Sequence, residues 1–304
     1  MEQKQYLSEG NEPFDLHLHS SRSDGSDAPA DVIANAVRRG ITLLALTDHD
    51  GVGGVPEAVR AGEALGARVI PAIEMDTEWQ HELHILGLDI DIYEPRLTQA
   101  LNQARARRSV RNAEIVSRLK RAGYDIRPYL AGGTETCTRL NIALALVAGG
   151  FASGTKDAFL RFLRKGCPGY YTAERFTPEE VIALIRGAGG VPVWAHPMHG
   201  HPDPHKLALQ LQEYGLMGLE AYHPSMTEGD AEILVSIARQ NGLIVTCGSD
   251  YHGANRPEVS PGQTWRNNAV LSQCRAFFEE RPVRIESKED ERRTKKAQSN
   301  AAQQ

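Results

Sequence analysis

The sequence predicts an α/β fold: a sheet or barrel of parallel strands with a helical subdomain inserted between its two halves. Three observations carry that expectation. Short apolar runs alternate with amphipathic helical segments from Phe14 to Leu88 and again from Pro178 to Cys247. Between them, Glu94 to Phe176 holds helical segments and no apolar run suited to a core strand. Residues able to bind metal also gather where the apolar runs stop, and in parallel α/β barrels the carboxyl ends of the strands build the active site.

Phe14 to Leu18 reads as the first strand, followed by the polar turn His19 to Gly25. His17 and His19 lie two apart, so on a strand both imidazoles leave the same face. Asp27 to Gly40 is predicted as a helix, with Pro29 in its first turn and Gly40 at its end. Ile41 to Leu46 is continuously apolar, as a strand buried on both faces should be, and stops at Thr47-Asp48-His49-Asp50. Val55 to Leu65 forms the next helix. Arg68 to Ile73 forms a third strand ending at Glu74, and Leu83 to Leu88 an adjacent one containing His84. His81 precedes His84 by three positions and would face the other way, so it is not expected to bind metal.

In the insert, Arg96 to Ala122 is a long basic helix closed by Gly123, with two shorter helices at Leu140 to Val147 and Asp157 to Leu163. The alternating rhythm then resumes. Helix Pro178 to Ala188, with Thr177 as its N-cap, precedes strand Val191 to Ala195, which ends in His196. Helix Lys206 to Tyr214 leads to strand Met217 to Tyr222, ending in His223. Helix Glu228 to Asn241 leads to strand Leu243 to Cys247, ending in Ser249-Asp250-Tyr251-His252. Val283 to Ile285 is a candidate last strand, and Lys288 to Gln304 is polar without apolar periodicity.

The chain has 304 residues, 41% hydrophobic and 24% charged, ordinary for a globular protein. A net charge of −5 argues against a long nucleic-acid-tracking surface while leaving room for a small basic pocket. Cys137, Cys167, Cys247 and Cys274 show no C-x-x-C spacing and read as reduced thiols of a cytoplasmic protein. Met1 to Pro13 lacks the apolar core of a signal peptide, and no apolar run is long enough to span a membrane. Nothing in the pattern calls for an obligate protein partner.

Singly, a histidine at a strand end is more often a capped loop residue than a ligand. Jointly, His17, His19, His49, Glu74, His84, His196, His223, Asp250 and His252 point to a multinuclear metal centre of imidazoles and carboxylates. The ordered motifs D-L-H-x-H, T-D-H-D, Glu74, His84, A-H-P and G-S-D-x-H resemble the PHP (polymerase and histidinol phosphatase) family of metal-dependent phosphoesterases. Similarity is greatest to its branch with a helical insert, which includes nucleotide phosphatases acting on 3′,5′-bisphosphates or AMP and a 5′-to-3′ exoribonuclease. The resemblance runs from about Phe14 to Trp265. It implies a distorted TIM-like (β/α)7 barrel over 14–93 and 177–286 with a helical insertion subdomain over 94–176, and the polar composition beyond it predicts a disordered tail over 287–304.

Carried over residue by residue, the resemblance implies three divalent ions. His17, His19, Glu74 and Asp250 would hold the first. Glu74 would bridge to a second, completed by His84 and His196, and Asp24, His49 and His252 would hold the third. Imidazole with carboxylate suits Mn, Fe or Zn alike. A hydroxide made at such ions would attack phosphorus in line. The leaving group needs a proton donor, with His199, His201 and His223 as possibilities; Asp250, His223 and His199 are the candidate catalytic residues. Thr138 to Ala143 resembles the family's phosphate-contacting segment G-R-P-H-[FI]-A: Arg139 matches, whereas Leu140 replaces the proline and Asn141 the histidine. Asn can still donate a hydrogen bond but carries no charge. Arg111, which shares a helical face with Arg108, and Lys165 complete the expected phosphate contacts. The plainer expectation for the two helical arginines is a solvated face.

The function expected is hydrolysis of a small phosphomonoester, a nucleotide above all. An exoribonuclease on short RNA would need a groove for several nucleotides, which the net acidity does not favour. A non-catalytic metal-binding module typically lacks ligands, and here every expected position is filled. An amidohydrolase would need a metal-bridging lysine after a later strand, and none stands there.

Overall fold

The computed structural model describes residues 13–81, 83–130, 137–264 and 269–282. Its seven strands stand side by side in chain order: β1 (Phe14–Leu18), β2 (Leu43–Leu46), β3 (Arg68–Asp76), β4 (His84–Leu88), β5 (Val191–Trp194), β6 (Gly218–Tyr222) and β7 (Ile244–Cys247). The sheet curls until β1 meets the segment after β7. There His19 N donates to Tyr251 O and Asp250 N to His17 O, both at 2.9 Å. The buried carboxylate of Asp15 clamps the same seam, accepting from Ser249 N (3.0 Å) and Gly262 N (2.7 Å). The result is a nearly closed α/β barrel.

One strand departs from the parallel pattern. β1, β2 and β3 run parallel, as do β5, β6 and β7, but β4 is antiparallel to both β3 and β5. Only residues 77–83 join β3 to β4, too few for the helical crossover a parallel pair needs, so the chain turns straight back. The amino end of β4 therefore lies at the same mouth as the carboxyl ends of the other strands, and His84 arrives there from the opposite direction.

The helices are α1 (Pro29–Arg38), α2 (Val55–Leu65), α3 (Pro95–Arg121), α4 (Arg139–Ala148), α5 (Thr155–Ala158), α6 (Pro178–Gly187), α7 (Pro204–Glu213), α8 (Glu228–Gln240) and α9 (Ala269–Glu279). Capping boxes at Thr138, Thr177 and Thr227 start α4, α6 and α8. The helix expected over Asp157 to Leu163 is instead the short α5 running into a π turn at Phe159–Leu163. Helix α9 was not anticipated, although Leu271, Cys274, Arg275 and Phe278 bury one face of it at helical spacing. The expected strand Val283 to Ile285 and tail 287–304 lie outside the described residues.

Among the described residues, two apolar clusters form the interior. The larger, including Phe14, Leu44, Ile70, Ile85, Val193 and Leu219, fills the barrel and the space beneath its helices. The smaller, including Ile115, Leu119, Ile142, Leu146 and Phe162, lies within the insert. Among the described residues no helix is long and apolar enough to cross a membrane.

Candidate metal centre

At the barrel mouth the two oxygens of Glu74 face different histidines. Oε2 lies 3.3 Å from His17 Nε2, 3.2 Å from His19 Nε2 and 3.2 Å from His49 Nδ1. Oε1 lies 2.9 Å from His84 Nδ1 and 3.1 Å from His196 Nε2. Asp250 Oδ1 closes one side, 3.2 Å from His19 Nε2 and 3.6 Å from His17 Nε2. Asp24 closes another, with Oδ1 3.1 Å from His252 Nε2 and Oδ2 3.7 Å from His49 Nε2. All the residues expected as ligands thus meet in one buried cluster. Within it, ligand atoms of His17, His19 and Asp250, of Glu74, His84 and His196, and of His19, Asp24, His49 and His252 each lie within 4.8 Å of one another.

Backbone geometry contributes to this convergence. His196 and Asp250 have φ of +32° and +54°, a region that costs an L residue roughly 1–3 kcal/mol. Surrounding hydrogen bonds hold both in place: His196 N donates to Glu220 Oε2 at 2.9 Å, and Asp250 N to His17 O at 2.9 Å. The polar turn after β1 is fixed similarly, because Asp48 accepts from Ser20 N (2.8 Å) and Ser23 Oγ (2.7 Å) and so presents Asp24.

Burial is the largest single influence; it prevails at His49, whose imidazole it lowers, and is overruled by the surrounding charges at Glu74, Asp250, His17 and His19. It would raise Glu74, yet the imidazoles of His49, His17 and His84 hold that carboxyl well below its ordinary value. Asp250 is likewise pulled down against burial by His252, Arg256 and His17. In the other direction, burial would lower His17, but Glu220, Glu74 and Asp250 lift it well above its ordinary value. His19 rises to about 9 against burial, through Asp250 and Glu74.

The donor set fits divalent cations. Buried ring nitrogens of His17 (Nε2), His19 (both), His49 (Nδ1) and His252 (Nε2) make no hydrogen bond. Buried polar atoms are normally paired. Converging imidazole lone pairs beside ionised carboxylates are a suitable environment for Mn, Fe or Zn.

Sequence reasoning missed several acids and bases around this cluster. Glu220, fully buried in β6, has Oε1 2.9 Å from His17 Nδ1. Asp76 faces His84, and Arg256 pairs with Asp250. A carboxylate inside the otherwise apolar β6, and a second acid two residues beyond Glu74, were legible signals. Nothing in the sequence pointed to Arg256.

A cavity of about 720 Å³ opens onto the cluster. Arg108, Arg111, Arg139, Arg164, Arg175 and Arg256 line it, with Trp79, Phe159 and Tyr170 as its aromatic surfaces. Arg108 and Arg111 are not on a solvated face: both are buried, and Arg108 pairs with Asp50. Arg111 is lowered to about 10, by burial and then by Arg108. Arg139 lines the cavity while donating to Tyr171 O at 3.2 Å. Two expected phosphate contacts are placed elsewhere. Asn141 Oδ1 accepts from Thr138 N at 2.7 Å, so its carboxamide closes the cap of α4. Lys165 is exposed and does not line the cavity; its neighbour Arg164 does.

Among the proposed donors, His199 lines the cavity, stacked on His196 at 4.7 Å, with Nε2 2.6 Å from Ser225 Oγ. His223 is buried, with Nδ1 2.7 Å from the same hydroxyl and Nε2 3.4 Å from Asp250 Oδ2. His201 packs edge-on against Trp194 at 5.3 Å, outside the cavity lining.

Comparison with known proteins adds independent findings. Residues 15–132 match the PHP domain model. The chain is 33% identical over 280 residues to a 3′,5′-nucleoside bisphosphate phosphatase of Chromobacterium violaceum, covering 90% of this chain and 97% of that protein. It is 33% identical over 247 residues to a 5′-3′ exoribonuclease of Haemophilus influenzae, covering 79% and 89%. The crystal structure of a putative metal-dependent phosphoesterase from Bifidobacterium adolescentis superposes with a TM-score of 0.75 at 28% identity, covering 87% of this chain and 98% of that one.

Proposed function

The chain belongs to the PHP family of metal-dependent phosphoesterases, and from that premise we propose that it removes phosphate from a small nucleotide, a 3′,5′-bisphosphate or an AMP-like monoester, at a three-ion centre. The observation that carries this reading is the division of Glu74, whose two oxygens face separate sets of imidazoles. A carboxylate so placed is suited to bridge two ions. His17, His19, Glu74 and Asp250 would hold one ion, Glu74, His84 and His196 a second, and Asp24, His49 and His252 a third. When bound, such ions supply Lewis acidity toward phosphoryl oxygens and acidify a coordinated water.

The chain's own groups do the rest. Arg111 and Arg139 bind and orient the ester phosphate from the insert side of the cavity. His199 gives a proton to the leaving oxygen: it lines the cavity, and Ser225 holds its ring beside His196. His223, buried against Asp250, orients that carboxylate. At about 720 Å³ the cavity lies within the roughly 300–1,000 Å³ common for small-molecule sites, which favours a mononucleotide over a threaded RNA strand. Four free cysteines fit a cytoplasmic setting.

The test is phosphate release by Mn²⁺-loaded protein across nucleoside monophosphates, 3′,5′-bisphosphates, histidinol phosphate and short RNAs. Release from the bisphosphates or AMP ahead of RNA is expected. Release from none of the panel by fully metallated protein would overturn the reading in favour of a non-catalytic module.

A further inference from the structure

Asp76 and His84 are direct partners across the antiparallel β3–β4 pair. Asp76 also follows Glu74 by two positions, so the two side chains leave the same face of β3. The His84 ring consequently sits between two carboxylates, with Nδ1 2.9 Å from Glu74 Oε1 and Nε2 3.0 Å from Asp76 Oδ1. The Glu74 side is shared with His196, whose Nε2 lies 3.1 Å from the same oxygen. A metal held between Glu74, His84 and His196 would use the Nδ1 lone pair, which would leave the ring proton on Nε2, 3.0 Å from Asp76 Oδ1.

The other side of Asp76 faces the insert. Its Oδ2 lies 3.5 Å from Arg108 Nη2 and 3.9 Å from Arg111 Nη1, both on α3. Its backbone N donates to Asp50 Oδ1 at 3.2 Å, and Asp50 in turn pairs with Arg108. One carboxylate therefore joins a metal-facing histidine to two arginines of the cavity wall.

We propose that Asp76 is a positioning residue: it fixes the tautomer and orientation of His84 for the ion shared with Glu74 and His196, and ties that ligand to Arg108 and Arg111 of the insert. A carboxylate accepting the second N–H of a ligating histidine raises its basicity, and losing such a partner typically costs about 10–100-fold in metal affinity. The inference rests on the three-ion reading and adds to it a residue outside the ligand set. A direct ligand role for Asp76, with His84 and His49, fits the geometry less well. His49 Nδ1 is 3.8 Å from Asp76 but 3.2 Å from Glu74, and two guanidinium groups already face the other Asp76 oxygen.

The test is calorimetric titration of metal-stripped, full-length protein with Mn²⁺ alone, comparing wild type, Asp76→Ala, Asp76→Asn, His84→Ala and the Asp76→Ala/His84→Ala double variant. Asp76→Ala should weaken one of the bound ions about 10–100-fold without lowering the number bound at saturation. Asp76→Asn, whose amide oxygen still accepts from Nε2, should recover part of that loss, and it carries the test should Asp76→Ala fail to fold. In the His84→Ala background the Asp76 substitution should add nothing, a dependence that a general loss of stability would not produce. Unchanged affinity in Asp76→Ala, no recovery in Asp76→Asn, or an undiminished effect without His84 would each overturn the proposal. So would loss of one whole equivalent of Mn²⁺ at saturation in both Asp76 variants, which would make Asp76 a ligand. A wild-type protein that binds no Mn²⁺ would instead overturn the centre itself, and with it this role.

Discussion

Glu220 Oε1 stands 2.9 Å from His17 Nδ1, and the second oxygen of the same carboxylate accepts from His196 N at 2.9 Å. One buried acid thus contacts two candidate ligands, one in β1 and one just beyond β5. Burial opposes its ionisation, but His17, His223 and His196 hold its carboxyl below its ordinary value, so it stays an acceptor at neutral pH. Glu220→Gln keeps the size of the side chain and removes its charge. It should lower Mn²⁺ affinity by about 10–100-fold, read by calorimetry. A wild-type isotherm from this variant would mean that Glu220 only fills space.

The close approach of β1 and β7 gives a second prediction. A methyl group added at Gly248 would overlap Cβ of His17 and Oε1 of Glu220, neither of which can move without disturbing the pair. Overpacking of this kind costs about 1–3 kcal/mol. Gly248→Ala should lower the thermal midpoint and weaken metal binding together. A variant with the wild-type midpoint and full metal content would show that the seam has room to adjust.

The strands and the candidate ligands at their ends were legible in the sequence because strand physics is local. An apolar run that stops at His19, His49 or His196 marks both a buried strand and its open end, and period-2 alternation placed His17 with His19. What escaped depends on how elements dock. Asp76 meets His84 through the β3–β4 register, and β4 itself runs opposite to its neighbours. Arg108 and Arg111 sit on a helix with charges on every side, so its pattern alone did not show which arginines the barrel mouth would bury. Asn141 differs for another reason: Thr-x-x-Asn at the start of α4 is also a capping signal, and Asn141 Oδ1 accepts from Thr138 N at 2.7 Å to close that cap.

Ion loading should release protons. In the ion-free centre, burial would lower His19, yet Asp250 and Glu74 raise it to about 9, and His17 and His84 are also raised. At pH 7 these imidazoles carry protons that a bound cation must displace, because only the neutral nitrogen donates a lone pair. Apparent Mn²⁺ affinity should therefore climb as pH rises from 6 toward about 9. Titrations at one pH in two buffers of different protonation enthalpy count the protons directly. Equal heats in both buffers would contradict the raised values.

Removal of Glu74 should be the most damaging single change. Its oxygens face both imidazole sets, so on the proposed assignment Glu74→Ala would take a shared ligand from two ions at once. Turnover should fall by at least about 10³-fold, of the order seen when a major source of transition-state charge stabilisation is lost. Bound metal should fall with it. Retention of wild-type turnover would remove the basis for assigning these residues to metal.

The cavity arginines separate binding from chemistry. Arg111 and Arg139 line the cavity, whereas Lys165 is exposed outside its lining. A charge-assisted hydrogen bond to phosphate contributes about 1.5–3 kcal/mol, roughly a 10–100-fold change in binding. If Arg111 and Arg139 hold the ester equally in ground and transition states, Arg111→Ala and Arg139→Ala should raise KM by that factor with kcat little changed. Lys165→Ala should leave both constants at wild-type values. A fall in kcat at constant KM for Arg139→Ala would place its contact in the transition state alone. A raised KM in Lys165→Ala would mean that the substrate extends beyond the cavity to the surface of the insert, as a longer nucleotide chain would.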